Sequence, residues 1–297
     1  MRIAASFALA RNTDLKDLKA VDEKSIRVEW RDFERAVGEC VPAFGNKDNE
    51  EIASFYRNGI CEYGLTFDYV WGTLSKLLSQ AKHSTRTPLL SVLLEGLVST
   101  GKTAIAAKLS RESDFPFVRM ITADSFIGAS ESDKCSKLLK IFSDAYKSPL
   151  SLIFIDDIER ILDYTPIGPR FSNTVLQTLL ILLRKLPPAN SRIMILATTS
   201  ICDFLQDLQL VSAFQVTLHV SQLQLPEEIE NVLGHYSTLP AATVKEIASH
   251  IDKPLGVKQL LMLLEMAREN NEGGDGSDKQ DNFTADQFLY CLKTIGL

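Results

Sequence analysis

The sequence has few cysteines and no arrangement that would pair them or bind a metal. Five cysteines occur among 297 residues, with no C-x-x-C pair and no nearby histidine partner. Disulfide frameworks and structural zinc sites need closer and more regular spacings than these. The sequence therefore predicts a protein of a reducing compartment, and we expect a cytoplasmic location.

Long apolar runs and an excess of basic charge are also missing. No segment of about 18 apolar residues occurs, so we expect no membrane-spanning helix and at most a peripheral contact with membranes. The apolar patch after Arg2 extends for about eight residues before charged sequence follows, which does not favour a signal peptide. The net charge of −6 gives no sign of a surface that neutralises phosphate backbones, so we expect no nucleic-acid partner.

The sequence does contain a regular alternation of apolar strand-like runs and helical patterns between residues 46 and 226. Helical patterns at EEIASFYRNGICEYG and FDYVWGTLSKLLSQAK precede the first strand, SVLLE. Alternation with nearly all-apolar strands predicts an α/β fold, a parallel sheet flanked by helices. Residues 227–297 are purely helical in pattern around the loop-like NNEGGDGSD, and residues 1–45 hold two short helices, too few for a core.

The most specific motif is Gly96-Leu-Val-Ser-Thr-Gly-Lys-Thr103, which matches G-x-x-x-x-G-K-[ST] between a strand and a helix. Glycines let the backbone wrap a phosphate chain, and the N–H groups at the start of the helix face the anion. Lys102 would add charge beside the β- and γ-phosphates, and Thr103 a hydroxyl for magnesium. The motif predicts ATP and Mg²⁺ as cofactors, held by Gly96, Ser99, Thr100, Gly101, Lys102, Thr103 and Ala104.

A second buried strand, in SLIFIDDIER, is expected to end beside the first and to carry acidic residues at its tip. Asp156 would hold the magnesium together with Thr103. Asp157 lies where hydrolysing ring ATPases place a glutamate that activates water, and a carboxylate set back by about 1 Å can cost on the order of a hundredfold in rate. Asp157 as a simple helix cap is the alternative. Both interpretations predict a site that holds ATP better than it splits it.

Together the motifs resemble the AAA+ ATPase family and, within it, the second ATPase domain of the N-ethylmaleimide-sensitive factor (NSF) family. The resemblance runs in order over residues 46–270 and is carried by NGICEYG, the phosphate loop, FPFVRMITADSFIGASE, IDDIERILDYTPIGPRFSN, ILATTS and GVKQLLMLLEMA. It implies a P-loop AAA+ domain over 46–226 followed by a C-terminal helical lid subdomain over 227–297. Residues 1–45 are similar to the end of that family's first ATPase domain and its linker.

The resemblance also implies partners. The family forms homo-hexamers that use ATP to take SNARE complexes apart with SNAP adaptors, in vesicle fusion and transport. Its second ring binds ATP tightly and holds the hexamer together. Contacts with SNAP adaptors and SNARE complexes would be made by parts of the full-length protein that this sequence does not include.

Several further residues acquire roles through the same resemblance. Thr199 stands where motor domains have a sensor asparagine, and DLQLVSAFQVTLHV lacks the arginine fingers worth roughly 10³ or more in rate, so hydrolysis should be weak. Ile60, Tyr63 and Gly64 match an adenine pocket, Lys258 a lid residue on the phosphates, and Arg184 a basic residue offered to the next subunit's ATP. The plainer alternatives are a core tyrosine, a solvated lysine and an exposed arginine.

Phe126 falls where ring motors place a pore aromatic, and we expect it to have a packing role. Two other classes of function stay open: a stand-alone AAA+ assembly or interaction module, and a nucleic-acid-associated AAA+ ATPase. The acidic charge and the missing arginine fingers argue against the second. A small-molecule P-loop kinase would need an arginine-rich lid, which the C-terminal helical block lacks.

Overall fold

The structure, a computed structural model, describes residues 2–12, 27–39, 52–57, 59–84, 86–166, 170–269 and 283–295. The chain divides into two compact units, Met1–Asn46 and Lys47–Leu297. The loop predicted at NNEGGDGSD and the connection between the first two predicted helices lie outside the described residues. The assignment of residues 1–45 to a preceding ATPase domain, and the boundary at 226, stay predictions.

The first unit contains two helices, α1 (Arg2–Asn12) and α2 (Trp30–Glu39). The Arg35 guanidinium lies 4.8 Å from the centroid of the Phe7 ring, so a cation–π contact joins the two helices. Within α2, Trp30 Nε1 donates to Glu34 Oε1 at 2.8 Å. These are small contacts, as expected for a pair of short helices.

The second unit contains five strands, β1 (Leu89–Glu95), β2 (Phe117–Ile121), β3 (Leu150–Ile155), β4 (Arg192–Thr199) and β5 (Val216–His219). They form one sheet in the order β2-β3-β4-β1-β5, and all neighbours are parallel. This confirms the predicted fold class. The expectation that the strand of SLIFIDDIER ends directly beside β1 is wrong, because β4 lies between β1 and β3.

Helices cover both faces of this sheet. The helices of the second unit from residue 65 onwards are α3 (Leu65–His83), α4 (Lys102–Glu112), α5 (Glu131–Ala145), α6 (Ile158–Ile161), α7 (Asn173–Arg184), α8 (Cys202–Asp207), α9 (Pro226–Tyr236), α10 (Ala241–Ser249), α11 (Val257–Glu269) and α12 (Ala285–Ile295). In the described part of the chain, no helix combines the length and the apolar character needed to cross a membrane.

Alternate residues of β1 to β4 contribute to two separate apolar clusters, as the two-residue period of a strand requires, whereas the edge strand β5 contributes to only one of them. In β4, for example, Met194 and Leu196 pack with α3, α4 and the C-terminal helices, whereas Ile193 and Ile195 pack with α5 and α7. Because both faces are covered, β1, β3 and β4 are largely apolar and do not alternate in polarity. The edge strands β2 and β5 each contain exposed polar residues.

The helical pattern predicted over EEIASFYRNGICEYG is only partly correct. Helix occupies 52–54 and turn 55–57, and residues 59–64 are without helix. Gly59 and Gly64 have φ of 79° and 144°, which takes the backbone out of the helical region at both ends of this stretch. The segment 59–64 therefore runs irregularly into α3, and it forms one wall of the cleft described next.

Candidate nucleotide-binding site

A cleft of about 820 Å³ lies at the carboxyl edge of the sheet. Its lining comes from the phosphate loop and the start of α4, from residues 156–160 after β3, from residues 54–57 and 59–67, and from α9 and α11 of the helical block. Ligands of open α/β sheets bind at this edge. The predicted site residues that line the cleft are Ile60, Tyr63, Ser99, Thr100, Gly101, Lys102, Thr103, Ala104, Asp156, Asp157 and Lys258.

The phosphate loop is shaped by close backbone contacts. A Cβ on Gly96 would lie 2.2 Å from the carbonyl oxygen of Val220, so only glycine fits there. Gly101 has φ of 92° and immediately precedes α4, which begins at Lys102. Ser99 has φ of 72°, an uncommon conformation for a residue with a side chain. The loop and the first turn of α4, whose N–H groups have no partner within the helix, therefore line the cleft.

Lys102 is 5% exposed, and its ammonium is held by the loop itself. Nζ donates to the carbonyl oxygens of Gly96 at 2.9 Å and Leu97 at 2.6 Å. Burial lowers the pKa of Lys102, and this is partly offset by the acidic residues after β3. A buried ammonium beside a phosphate loop is suited to hold polyphosphate charge.

Asp156 lies at the tip of β3 and is linked to both neighbouring elements of the site. Its Oδ1 accepts from the Thr198 hydroxyl at 2.8 Å, and the Thr103 side chain also hydrogen-bonds the carboxylate. Burial raises the pKa of Asp156 to about 6, and the nearby Asp157 and Glu159 add to this while the two threonine hydroxyls oppose it. An added cation would relieve this crowding of negative charge.

Asp157 occupies the position before α6 with φ of 48°, and its side chain makes no capping bond. Its backbone N–H donates to the Thr198 hydroxyl at 2.9 Å, and its Oδ2 lies 3.2 Å from Arg160 Nε. The helix-cap alternative is therefore not what the side chain does. The carboxylate is instead engaged by an exposed arginine at the rim of the cleft.

Glu159 was assigned no role from the sequence, yet it is 5% exposed and lines the cleft. Its two carboxylate oxygens accept from the Thr199 hydroxyl at 2.9 Å and from the Ser200 N–H at 2.8 Å. Glu159 therefore fixes the end of β4. The third acidic residue of DDIER was the available signal, but the sequence does not say that β4 lies beside it.

Thr199 is fully buried and does not line the cleft; Ser200, the next residue, does. The hydroxyl that reaches the acidic pair is that of Thr198, one residue earlier. Alternation along a strand explains the difference, because neighbouring side chains point to opposite faces. The sequence did not identify Thr198.

The other end of the cleft is mainly apolar, with Ile60, Cys61, Tyr236, Val257 and Leu261 among its lining residues. Tyr63 also lines it but is only 4% exposed, with its ring 5.3 Å from that of Phe67. Burial, followed by the charge of Glu228, raises the pKa of Tyr63 to about 12. Tyr63 is therefore largely a core residue whose edge reaches the cleft.

Helix α9 holds the wall that residues 59–66 form. Glu228, which is 5% exposed, accepts from the Thr66 hydroxyl at 2.8 Å and from the Gln224 N–H at 2.9 Å. Asn231 Nδ2 donates to the Tyr63 carbonyl at 3.2 Å. This wall consequently depends on a helix more than 160 residues away in the chain.

Four predicted site residues lie outside the cleft lining, namely Gly64, Gly96, Arg184 and Thr199. Gly96 still takes part, because its carbonyl accepts from Lys102. Arg184 is exposed at the end of α7. Phe126 is 4% exposed in the apolar core, and the next residue, Ile127, is 82% exposed.

The residues that line the cleft fit a magnesium ion and a nucleoside triphosphate. Carboxylate and hydroxyl oxygens are the ligands that Mg²⁺ prefers, and Asp156 and Thr103 bring one of each together. Lys102 and the glycine-shaped loop lie beside them, and an apolar wall suited to a base lies at the far end of the same cleft. A comparison of the chain with known families agrees with this arrangement: residues 92–222 match the family described as ATPase family associated with various cellular activities (AAA).

The chain belongs to the AAA family of ATPases. It is similar over nearly its whole length to proteins named vesicle-fusing ATPase, with 38% identity in Dictyostelium discoideum over all of this chain and 39% in Arabidopsis thaliana over 98% of it. It is also 31% identical, over 92% of this chain, to the vesicular-fusion protein SEC18 of Saccharomyces cerevisiae.

This AAA chain spans only part of those relatives. It covers 39%, 40% and 37% of the three relatives' lengths. What the longer proteins do as a whole is therefore a matter for proposal. The AAA match begins within β1 and ends just beyond β5. It therefore includes the phosphate loop after β1 and the acidic pair after β3.

Proposed function

We propose that this chain is the second ATPase domain of an NSF-like AAA protein, and that it binds Mg-ATP tightly, hydrolyses it slowly and uses it to hold a homo-hexamer together. The observation that carries the proposal is the meeting of Lys102, Thr103 and Asp156 at the phosphate end of one cleft. In this proposal Thr103 and Asp156 hold the magnesium and Lys102 holds phosphate charge. The apolar wall around Ile60 receives adenine.

Slow hydrolysis is supported by the side chains around the acidic pair. Magnesium, when bound, supplies charge neutralisation on the phosphates. The chain's own contribution to water activation would fall to Asp157, whose short carboxylate is paired with Arg160. The buried Glu159 is already satisfied by Thr199 and Ser200, so it is not free to act as the base.

In the full-length protein, the proposed role of this domain is to assemble the ring that disassembles SNARE complexes in vesicle fusion. The similarity to vesicle-fusing ATPases supports this. SNAP adaptors and SNARE complexes would bind elsewhere in that longer protein. The position of Arg184, exposed at the end of α7, makes it the candidate contact to a neighbour's nucleotide.

The proposal is tested on the isolated chain by calorimetry and steady-state hydrolysis. We expect Mg-ATP to bind, and turnover to be far below one per second. An absence of binding would reject the nucleotide site, and tens of turnovers per second would reject the non-motor role. Sedimentation velocity with and without Mg-ATP tests assembly, because a ligand that favours the assembled state drives it.

Arg184 gives a sharper test of the assembly step. Arg184→Ala should weaken ATP-dependent assembly by roughly 1–3 kcal/mol per interface, the range for hydrogen bonds to charged groups. Monomer unfolding and monomer ATP affinity should not change. Lys147→Ala, which removes an exposed lysine paired with Asp144, is the matched control. Hexamers of normal stability from Arg184→Ala would exclude this residue from the interface.

A further inference from the structure

The helical block contacts the phosphate loop directly at Ser99. The backbone N–H of Lys258, at the start of α11, donates to the Ser99 carbonyl at 3.0 Å. Gly256, just before that helix, is buried against the same residue: a Cβ there would lie 2.9 Å from both Ser99 Cβ and Ser99 O. A Cβ carbon is essentially never found this close to a non-bonded atom, so a side chain at position 256 would force Ser99 or the helix to move.

Backbone conformation does not explain the glycine at position 256. Gly256 is not among the residues with positive φ, so a side chain would fit its own backbone without strain. Its N–H is bonded to the Gln259 side chain and its carbonyl accepts from Leu260, both normal for a helix start. The requirement for glycine therefore comes from the close approach of Ser99, which supplies the three atoms nearest to an added Cβ.

A second segment, residues 220–223, holds the other end of the phosphate loop and is itself bonded to the residues before α11. Gly96 lies against the Val220 carbonyl, and Val220 N–H donates to Glu95 O at 2.7 Å. Three residues further on, Leu223 exchanges two backbone hydrogen bonds with Leu255, at 2.8 and 3.0 Å. Residues 220–223 and 255–258 thus form one backbone frame that touches the loop at both Gly96 and Ser99.

We propose that Gly256 is a positioning residue for the nucleotide site, acting through Ser99. Ser99 has φ of 72°, and such a conformation persists only where the surroundings hold it. The close approach of Gly256 supplies that support and places the helical block on the phosphate loop. This inference rests on the proposed function, because ATP affinity is its main readout.

The test compares two glycine-to-alanine variants of the full chain by calorimetry with Mg-ATP. Gly256→Ala should weaken binding at least about tenfold, since its Cβ must displace the loop backbone. Gly234→Ala is the matched control: Gly234 is exposed in α9, and an added Cβ meets nothing within 4 Å. Its affinity should equal that of the wild type. Nucleotide-free thermal unfolding is measured for both variants.

Ser99→Gly provides the readout that a purely structural defect would not change. It removes the Ser99 Cβ, one of the close atoms, and glycine tolerates the positive φ. The loss of affinity caused by Gly256→Ala should therefore be smaller in the Ser99→Gly background than in the wild type. Equal losses in both backgrounds would overturn the proposed contact, as would an unchanged affinity of Gly256→Ala.

If Gly256→Ala does not fold, hydrogen exchange on the wild-type chain tests the positioning role instead. Mg-ATP should slow exchange of the Lys258 amide, which is bonded to the loop, more than exchange at the start of α10, which serves as the internal reference. No change at Lys258 alongside normal ATP binding would reject the positioning role while leaving the proposed function intact. A wild-type chain that does not bind Mg-ATP would overturn both.

Discussion

The two ends of the cleft are lined by different kinds of residue, charged at the phosphate end and apolar at the base end. At the phosphate end, Lys102, Asp156 and Glu159 are charged, mostly buried, and tied to backbone or hydroxyl groups. At the base end, Ile60, Val257 and Leu261 present apolar surface. The first end is made of short local motifs at strand tips, whereas the second is assembled from segments far apart in the chain. The difference shows that charge recognition can be encoded locally while apolar recognition depends on tertiary packing.

The largest effect should come from removing the charge of the phosphate end. Lys102→Ala is expected to weaken the binding of Mg-ATP on the order of a hundredfold or more, because several phosphate oxygens lose a charged donor. Inorganic tripolyphosphate, which has no base, should lose binding in parallel. Calorimetry and competition measure both ligands.

Lys108→Ala is the control for this change. It lies in the same helix, outside the cleft, with its Nζ 4.8 Å from the centroid of the Trp71 ring. Its ATP affinity should stay at the wild-type value. Unchanged ATP affinity in Lys102→Ala would contradict the assignment of the whole phosphate end.

The base end should respond to a change that leaves the phosphate end untouched. Thr66→Val removes the donor to buried Glu228, which should lower the free energy of unfolding by about 1–3 kcal/mol and loosen the wall at 59–66. ATP affinity should fall several-fold, while tripolyphosphate binding should not change. Thermal unfolding and the same competition assay give the readouts.

Thr73→Val is its matched partner, since the Thr73 hydroxyl of the same helix donates only within α3, to Tyr69 O at 2.7 Å. It should leave both ligands unaffected. Equal losses of ATP and tripolyphosphate in Thr66→Val would mean that the two ends are not separable.

A third prediction concerns the pH dependence of the phosphate end in the nucleotide-free, metal-free chain. Asp156 has a pKa raised from 3.8 to about 6 by burial, with Asp157 and Glu159 facing it and Lys102 nearby. Its ionisation therefore costs stability as pH rises from about 4 through about 6. Asp156→Asn should be more stable than the wild type at pH 7.5, and the difference should vanish near pH 4.

Thermal unfolding in EDTA across that range checks this prediction, and the comparison of interest is the variant minus the wild type at each pH. The same substitution should weaken the Mg²⁺-dependent part of ATP binding. If the stability difference between variant and wild type were constant from pH 4 to 7.5, the pKa of Asp156 would not be raised in the folded chain, and the prediction would be wrong.

The smallest effect should come from restoring the usual length of the second acidic residue. Asp157→Glu is expected to raise steady-state turnover by less than about tenfold, because the other departures from the motor pattern remain. It should also cost about 1 kcal/mol of stability, since φ of 48° suits aspartate better than a longer side chain. A rise of a hundredfold or more would identify carboxylate reach as the single defect.

The sequence predicted most of the phosphate end and little of the base end, for physical reasons. Gly96 to Thr103 and Asp156 follow strand tips, so local pattern is enough to find them. Thr198 and Glu159 were missed because their partners depend on strand order, and β4 could be placed between β1 and β3 only in three dimensions. Alternation along the strand then put Thr198, and not Thr199, at the acidic pair.

The base end shows the opposite case. Ile60 and Tyr63 were predicted here only through the family resemblance, as was Lys258 for the phosphates, and the roles of all three in binding stay predictions. Glu228 and Asn231 carried no signal in the sequence, because each acts by holding a distant segment. Gly256 begins one of the stretches that carry the resemblance, but its contact with Ser99 appears only in the structure. Hydrophobic spacing finds helices such as α9 and α11 but does not reveal which side of the cleft they will support.

The apolar cluster on one face of the sheet has a consequence for how the second unit unfolds. That cluster runs without a break from Val92 and Met194 in the sheet to Leu260 and Phe288 in the C-terminal helices. The described residues 226–269 and 283–295 therefore belong to the same cooperative folding unit as the sheet, and a chain ending at Leu225 would expose the face that they cover. Such a truncated chain is expected to aggregate and not to survive as a smaller nucleotide-binding protein.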